Sequence, residues 1–333
     1  EKGKRLQPNG KKIAAGTVQN YRYSGQLLLQ FCQAKSVTLR IRPSRSLNAR
    51  DAATEKNYWK KFYKKFTDYL YDDCGHFDNY VGQNIKNLRV FFNYLTKEKG
   101  IALADHHKLF YVRKEEIPIF PLMPEELNFL INNEAFHQSL PKRMQEVKDF
   151  FVFGCTVALR VSDLLALKKT NIRINNGQYY LAVRSIKTNT DTLIKLPPYA
   201  VDIIHRYKKD KTKLLPRFNK SNLNVYIKQL LEQAGFVHPV QKTRERRGKQ
   251  IEIKEKGSKQ STVRFCDVAT THTMRRTAIT TMLSLGVPEQ VVRKISGHAA
   301  NSKEFYRYVN WAQTYQDQET ERMFEKLQSK QLA

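Results

Sequence analysis

A mainly α-helical chain of two domains, with short β-hairpins in the second, is what this sequence predicts, and three observations carry that prediction. Apolar residues recur at three- and four-residue spacing along most of the chain. At 333 residues the chain exceeds what one ordinary core organises. The stretch YVRKEEIPIFPL, residues 111–122, places two prolines between periodic segments and reads as an interdomain linker.

The elements follow in order. Residues 1–16, EKGKRLQPNGKKIAAG, are basic, contain proline and glycine, show no period, and read as an arm or linker. Thr17 is then placed to cap a helix with Val18, Tyr21, Leu28 and Phe31 as apolar positions. A second helix, 54–70, sets Tyr58, Phe62, Phe66 and Tyr69 on one stripe and Lys60, Lys61, Lys64 and Lys65 off it. A third, from about 79 to 99, brings Val81, Ile85, Leu88, Phe92 and Leu95 into register and is closed by Gly100. These define a helical first domain, 17–112, followed by the linker, 113–122.

The second domain, 123–333, opens on MPEELNFLI, where Pro124 and two first-turn glutamates mark a helix start. Helices are expected at 142–158 and 161–169. QYYLAVRSIKTNTDTLIKLP then alternates apolar and polar residues on both sides of KTNTD, a hairpin signature. Helices near 198–208 and 221–234 follow, and the strongly basic 241–264 reads as a second, exposed hairpin or a mobile insertion. The chain closes with helices at 272–285, 287–295, 301–310 and 312–329.

Charge narrows the function. With 59 Lys and Arg against 31 Asp and Glu the formal charge is +28, which repels itself unless a polyanion offsets it. About +12 lies in residues 1–120 and +16 beyond them, so both domains carry it. A partner with phosphates along both domains, nucleic acid, fits best. A single lysine among Lys60, Lys61, Lys64 and Lys65 would be read as a solvated face; four in six residues, interleaved with aromatics, point to phosphate contact. No apolar run approaches the ~20 residues of a membrane span. The four cysteines are far apart, without metal-binding spacing, and suit free thiols in a reducing cytoplasm.

Four short motifs along the second domain carry chemistry. In ALRVSDLLALK, Arg160 sits at a helix junction in apolar sequence and needs an anion; Asp163 is placed to hold it, so a closed Arg160–Asp163 pair competes with a ligand site. In SIKTNTD, Lys187 stands on the turn side of the hairpin. In THTMRRTAIT, His272 and Arg275 share one face of a first helical turn, near the positive end of the helix dipole, which suits an anion. Arg276, one position round, faces elsewhere. ISGHAANSKEFYRYV supplies His298 and two tyrosines, Tyr306 and Tyr308.

As an ordered set these motifs resemble the tyrosine recombinase (phage integrase) family: ALRVSDLLALK its first-arginine motif, THTMRRTAIT its H-x-x-R motif, ISGHAANSKEFYRYV its closing Gly-His and tyrosine segment. The resemblance spans the second domain, and the helical first domain is similar to the family's SAM-like core-binding module by pattern and place. It implies a mixed α/β, mostly helical catalytic domain in a site-specific recombinase of a mobile element. Arg160 and Arg275 would clamp the scissile phosphate. His272 and His298 would take up or hydrogen-bond the nucleophile's proton, and Lys187 would protonate the departing 5′ oxygen. The product would be a 3′-phosphotyrosyl bond, made without metal, ATP or other cofactor. The implied partners are double-stranded attachment-site DNA and further copies of the chain in a synaptic tetramer, with room for an accessory DNA-bending protein. A type IB topoisomerase-like nicking enzyme and a regulator that has lost catalysis remain as alternatives. The sequence departs from the family in the basic insertion at 241–264 and in offering two tyrosines.

In a helix through 302–310, Tyr306 and Tyr308 lie ~200° apart and cannot both face one phosphate. Phe305, Tyr308 and Val309 share a face, and F-Y-R-Y resembles integrases that place an apolar residue three positions before the nucleophile. We therefore expect Tyr308 to be the nucleophile; taking Phe305-Tyr306 as the family's apolar-Tyr pair would make it Tyr306 instead.

Overall fold

The computed structural model describes residues 6, 10, 12–39, 41, 48–186, 190–209, 212–253 and 263–329. It divides into two compact units, one of residues 1–117 with 242–253, the other of 118–241 with 254–333.

The first unit is built on three long helices: α1 (Ala15–Ala34), α2 (Ala49–Asp68), which runs on into a π-helical turn at Tyr69–Asp73, and α3 (Asp78–Lys97). The first starts two residues before Thr17, with Ala14 at its N-cap and no side-chain cap. A conventional cap appears on α2, where Asn48 accepts from the Asp51 amide at 2.9 Å. Of the expected stripe of α2, Phe62 and Phe66 are buried and Tyr58 and Tyr69 half-buried; Trp59, not expected there, is buried with them against Phe31, Ile85, Phe92 and Phe110. Ring edges meet faces here, as in Trp59–Phe92 at 4.9 Å and 87°. Lys60, Lys61, Lys64 and Lys65 are all exposed. Between α1 and α3 the buried Asn84 and Asn87 are satisfied by Ser24, at 2.8 Å each.

In the second unit α4 (Pro124–Asn132), α5 (Glu134–Ser139), α6 (Lys142–Val157) and α7 (Val161–Ala166) lead into a three-stranded antiparallel meander of β1 (Ile172–Asn175), β2 (Gln178–Arg184) and β3 (Asp191–Lys195). The sequence signalled only β2 and β3. Its alternation is weak in β1, whose positions are mostly exposed. Then come α8 (Pro198–Arg206), α9 (Lys220–Gln233), β4 (Pro239–Val240), β5 (Thr243–Arg246), β6 (Lys249–Glu252), β7 (Val263–Arg264), α10 (Phe265–Val268), α11 (Thr271–Ser284), α12 (Glu289–Ser296) and α13 (Lys303–Ser329). The two helices expected over 301–310 and 312–329 are one continuous α13. No glycine or proline interrupts the stretch, and Trp311 stacks on Tyr315 one turn later at 5.9 Å.

The central helix of this unit is α6, buried almost throughout its last three turns. It is approached by α11 at Gly154, where a Cβ would meet Met274 Sδ at 2.4 Å and Leu164 at 3.1 Å. That close contact fixes α11 beside the C-terminal end of α6.

The β5–β6 hairpin falls within the second domain's span in sequence but packs into the first unit. Its arginines are taken up by carboxylates. Arg244 forks onto Glu115 at 2.7 and 3.1 Å and lies 4.6 Å over the Phe77 ring. Arg247 bridges Asp68 at 2.9 Å and Asp72 at 2.6 Å, while its amide and that of Gly248 donate to Asp78, each at 2.8 Å. Arg246 bonds the Tyr71 carbonyl. Burial by itself would raise the Glu115 pKa; the Arg244 fork and the amides of Glu245 and Asn79 outweigh it and hold the carboxyl below its usual range. The described part of the basic stretch is thus a docked hairpin rather than a free one, and residues 254–262 lie outside the described residues. Arg244→Ala leaves the Glu115 carboxylate, whose side chain is fully buried, without its cation. Chemical denaturation should show a loss of about 1–3 kcal/mol. Unchanged stability would mean that the hairpin contributes nothing to the unit.

Candidate active site

Five of the six second-domain residues singled out in the sequence come together, each delivered by the end of a helix. Thr270 caps α11: its Oγ1 accepts from the His272 amide at 3.2 Å, and Thr273 Oγ1 accepts from the Thr270 amide at 3.0 Å. This sets His272 and Arg275 on the first turn. Only 3% exposed, Arg275 donates to the Ala158 carbonyl at 2.7 Å and the Ser296 carbonyl at 2.6 Å. Both carbonyls close helices, α6 and α12, where such groups have no intrahelical partner. Ala158 adopts the left-handed conformation, φ 54°, which is costly without glycine and turns its carbonyl out of the helix. Two residues later Arg160 forms the N-cap of α7.

Of the two alternatives left open for Arg160, the closed Arg160–Asp163 pair is not formed; a relay stands in its place. Asp163, 3% exposed, accepts from Ser185 Oγ at 3.2 Å and from the Ile186 amide at 3.0 Å. Ser185 in turn stands 3.4 Å from Arg160 Nη1. Asp163 is occupied at the end of β2, and among the described residues it makes no direct ion pair with Arg160. Lys187, between β2 and β3 in sequence, lies outside the described residues.

His298 follows Gly297, whose φ of 63° ends α12 in the left-handed region. Its Nδ1 is 2.8 Å from Ser296 Oγ, and its ring is 3.3 Å from Arg275 Nη2. Tyr308, on the second turn of α13, is 6% exposed, with its ring 5.9 Å from that of His298 and 6.2 Å from Phe305. Tyr306 is 51% exposed and points away, under the Arg293 guanidinium at 5.0 Å. Tyr308 packs with Phe305, Ile279 and Val292 in a buried apolar cluster, and Tyr306 is exposed.

Electrostatics follow from crowding cations. Arg275 falls to about 10, first through burial and then through Arg160. His298 is pushed down to about 3 by burial and by Arg275, Arg160 and Arg293. His272 drops to about 4 through loss of surrounding water and the field of Arg276, Arg275, Arg160 and Arg307. His272 is exposed on its open side, where solvent softens the first effect and leaves the arginine field. Both rings are neutral at pH 7. Sequence reasoning missed the carbonyls of Ala158 and Ser296 that hold Arg275. Backbone groups leave no residue signature; Arg276, read as pointing off the Arg275 face, is half-buried here.

Because the His298 pKa is depressed, the unfolded chain takes up a proton between pH 6.5 and about 3 that the folded chain refuses. Stability is full above pH 6.5 and falls as pH drops through that window. His298→Gln should flatten the acid-side decline of the DNA-free unfolding midpoint, and an unchanged slope would contradict the field described here.

The phage integrase family model matches residues 124–314, more than half of the chain. Solved structures are similar in fold. The XerH site-specific recombinase, bound to palindromic difH substrate in a post-cleavage complex, aligns over 94% of this chain and 80% of its own, at 13% identity and a TM-score of 0.62. A lambda integrase dimer bound to a COC′ core site aligns over 89% of each chain, at 12% identity and a TM-score of 0.55. The Tn1549 transposon integrase in complex with circular intermediate DNA aligns over 89% of each chain, at 15% identity and a TM-score of 0.50. No curated protein matches the chain in sequence. With the family model matching residues 124–314, more than half of the chain, the chain belongs to the phage integrase family, the tyrosine-type site-specific DNA recombinases.

Proposed function

We propose that the chain cuts and rejoins double-stranded DNA at attachment sites through a 3′-phosphotyrosyl intermediate, to integrate or excise a mobile element. The observation that carries this reading is the convergence of Arg160, Arg275, His272, His298 and a buried tyrosine on one pocket. A phosphodiester bears one negative charge and gains a second in the pentacoordinate transition state. Arg275, already anchored by two carbonyls, and Arg160 are set to meet that growing charge without reorganising. The Tyr308 oxygen attacks phosphorus, the Tyr308–phosphorus bond forms, and the bond to the 5′ oxygen breaks.

Proton movement suits the same pocket. The phenol proton passes to His272 or His298, both neutral before DNA binds. A bound phosphate offsets the arginine field and raises their affinity for it. Lys187 supplies the proton to the departing 5′ oxygen. The free 5′ hydroxyl of another strand reverses the sequence, so the broken bond's energy is conserved in the phosphotyrosyl ester. Lys60, Lys61, Lys64 and Lys65 on α2 serve as phosphate contacts for the first domain. The neighbours caught on DNA, and a lambda integrase tetramer on a Holliday junction with a TM-score of 0.51, support duplex binding and assembly into a synaptic tetramer.

The direct test uses a nicked suicide duplex carrying the element's own attachment sequence. Tyr308→Phe should bind it and form no covalent adduct, while Tyr306→Phe keeps forming one; the reverse pattern assigns the chemistry to Tyr306. Binding that neutralises roughly 6–10 phosphates should lose ~10³–10⁵ in affinity between 50 and 200 mM salt. A nearly flat salt response would sink the duplex-binding reading.

A further inference from the structure

The β5–β6 hairpin, the described part of the insertion by which this chain departs from its family, does more than pack. At Arg247 it closes one wall of a cavity of about 230 Å³ within the first unit. The other walls are Tyr63, Thr67 and Tyr71 from α2 and its π-helical end, Val81 from α3, and Tyr111 and Arg113 from the segment beyond α3.

The polar groups of this lining are engaged, with one exception. Tyr63 donates to the Tyr111 carbonyl at 2.9 Å, Thr67 to the Tyr63 carbonyl at 2.9 Å and Tyr71 to Asp78 at 2.5 Å. Arg247 is held by Asp68 and Asp72. The Arg113 guanidinium lies 5.5 Å over the Tyr111 ring and packs so closely on Gly248 that a Cβ there would stand 3.0 Å from its Nη1. Among the described residues no hydrogen bond or ion pair engages it. The cavity therefore offers tyrosine ring surface and one uncompensated cation. A flat group with an anion attached complements both, and a nucleoside monophosphate has those two parts.

The surroundings select a nucleotide over other aromatic anions. Lys60 and Lys64, both exposed, come seven and three residues before Thr67, so they share its face of α2. A phosphate backbone laid along that face meets cations first and the tyrosine rings at its end, the arrangement that holds unpaired strands.

The geometry points to a binding site for one unpaired nucleotide, its base against the tyrosines and its phosphate on Arg113. A cavity of about 230 Å³ falls below the size of drug-sized pockets and suits one such unit rather than a base pair. The site uses none of the proposed cleavage chemistry, so either can fail while the other stands.

Anisotropy titrations of the full-length chain with end-labelled DNA test this. A short single strand should bind about 5- to 100-fold more tightly than its abasic counterpart, which keeps the phosphates and lacks the bases. Tyr111→Ala should remove most of that preference and leave blunt-duplex affinity at the parental value. Arg113→Gln should weaken both strands together and make their salt dependence shallower. Neither change removes a structural contact of the side chain: Tyr111 is 64% exposed and accepts from Tyr63 through its backbone carbonyl. A parent chain that binds the two strands equally overturns the inference with no variant needed. So does a preference that survives in Tyr111→Ala, parental strand binding in Arg113→Gln, or a Tyr111→Ala loss of equal size on strand and duplex. Competition by free mononucleotide separates the sources: displacement at micromolar concentration assigns the site to a soluble nucleotide, and displacement only far above that assigns it to a nucleotide within a strand.

Discussion

The second unit depends on one buried guanidinium. Arg275 is a charge in a nearly closed place, and a charge there is tolerated only if its donors are satisfied. Two of its hydrogen bonds go to carbonyls that terminate α6 and α12. Those same helix ends lead directly into Arg160 and His298. The group that would bind phosphate is therefore also the pin that fixes where its neighbours stand. The left-handed backbone at Ala158 makes sense in this light, since an ordinary helix end would not present that carbonyl to the arginine.

Gathering Arg160, Arg275, Arg276, Arg293 and Arg307 around two histidines is costly without an anion, and the cost appears as depressed pKa values throughout the pocket. In the DNA-free chain the histidines respond by staying neutral. Neutral imidazole is the form able to accept a proton, which is what the proposed chemistry asks of these two rings. The β5–β6 hairpin treats arginine differently. There, Arg244 and Arg247 are matched by Glu115, Asp68 and Asp72, and their charge is spent on holding the first unit rather than being kept for DNA.

How much of this was legible in the sequence depends on whether the signal was local. The stripe of α2, the Pro124 helix start and the placement of His272 with Arg275 on one turn were read from spacing, because helical period and caps are written within a few residues. The choice of Tyr308 over Tyr306 also followed from spacing, and the structure shows that Tyr308 is buried and Tyr306 exposed. What could not be read was set by partners distant in the chain. The Arg160–Asp163 pair looked natural from a three-residue gap, yet Ser185 and the Ile186 amide claim Asp163. The basic hairpin looked exposed or mobile in sequence, yet carboxylates more than a hundred residues away hold its arginines.

The central claim is that Tyr308 bears the DNA, and peptide mapping of the trapped complex tests it without altering the protein. Arg307 separates the two candidates, so trypsin places Tyr306 in EFYR and Tyr308 in YVNWAQTYQDQETER. After nuclease trimming, fragmentation of the nucleotide-bearing peptide should locate the added mass on Tyr308 at the start of the longer one. A modified EFYR peptide, or modification at Tyr315, would contradict the account.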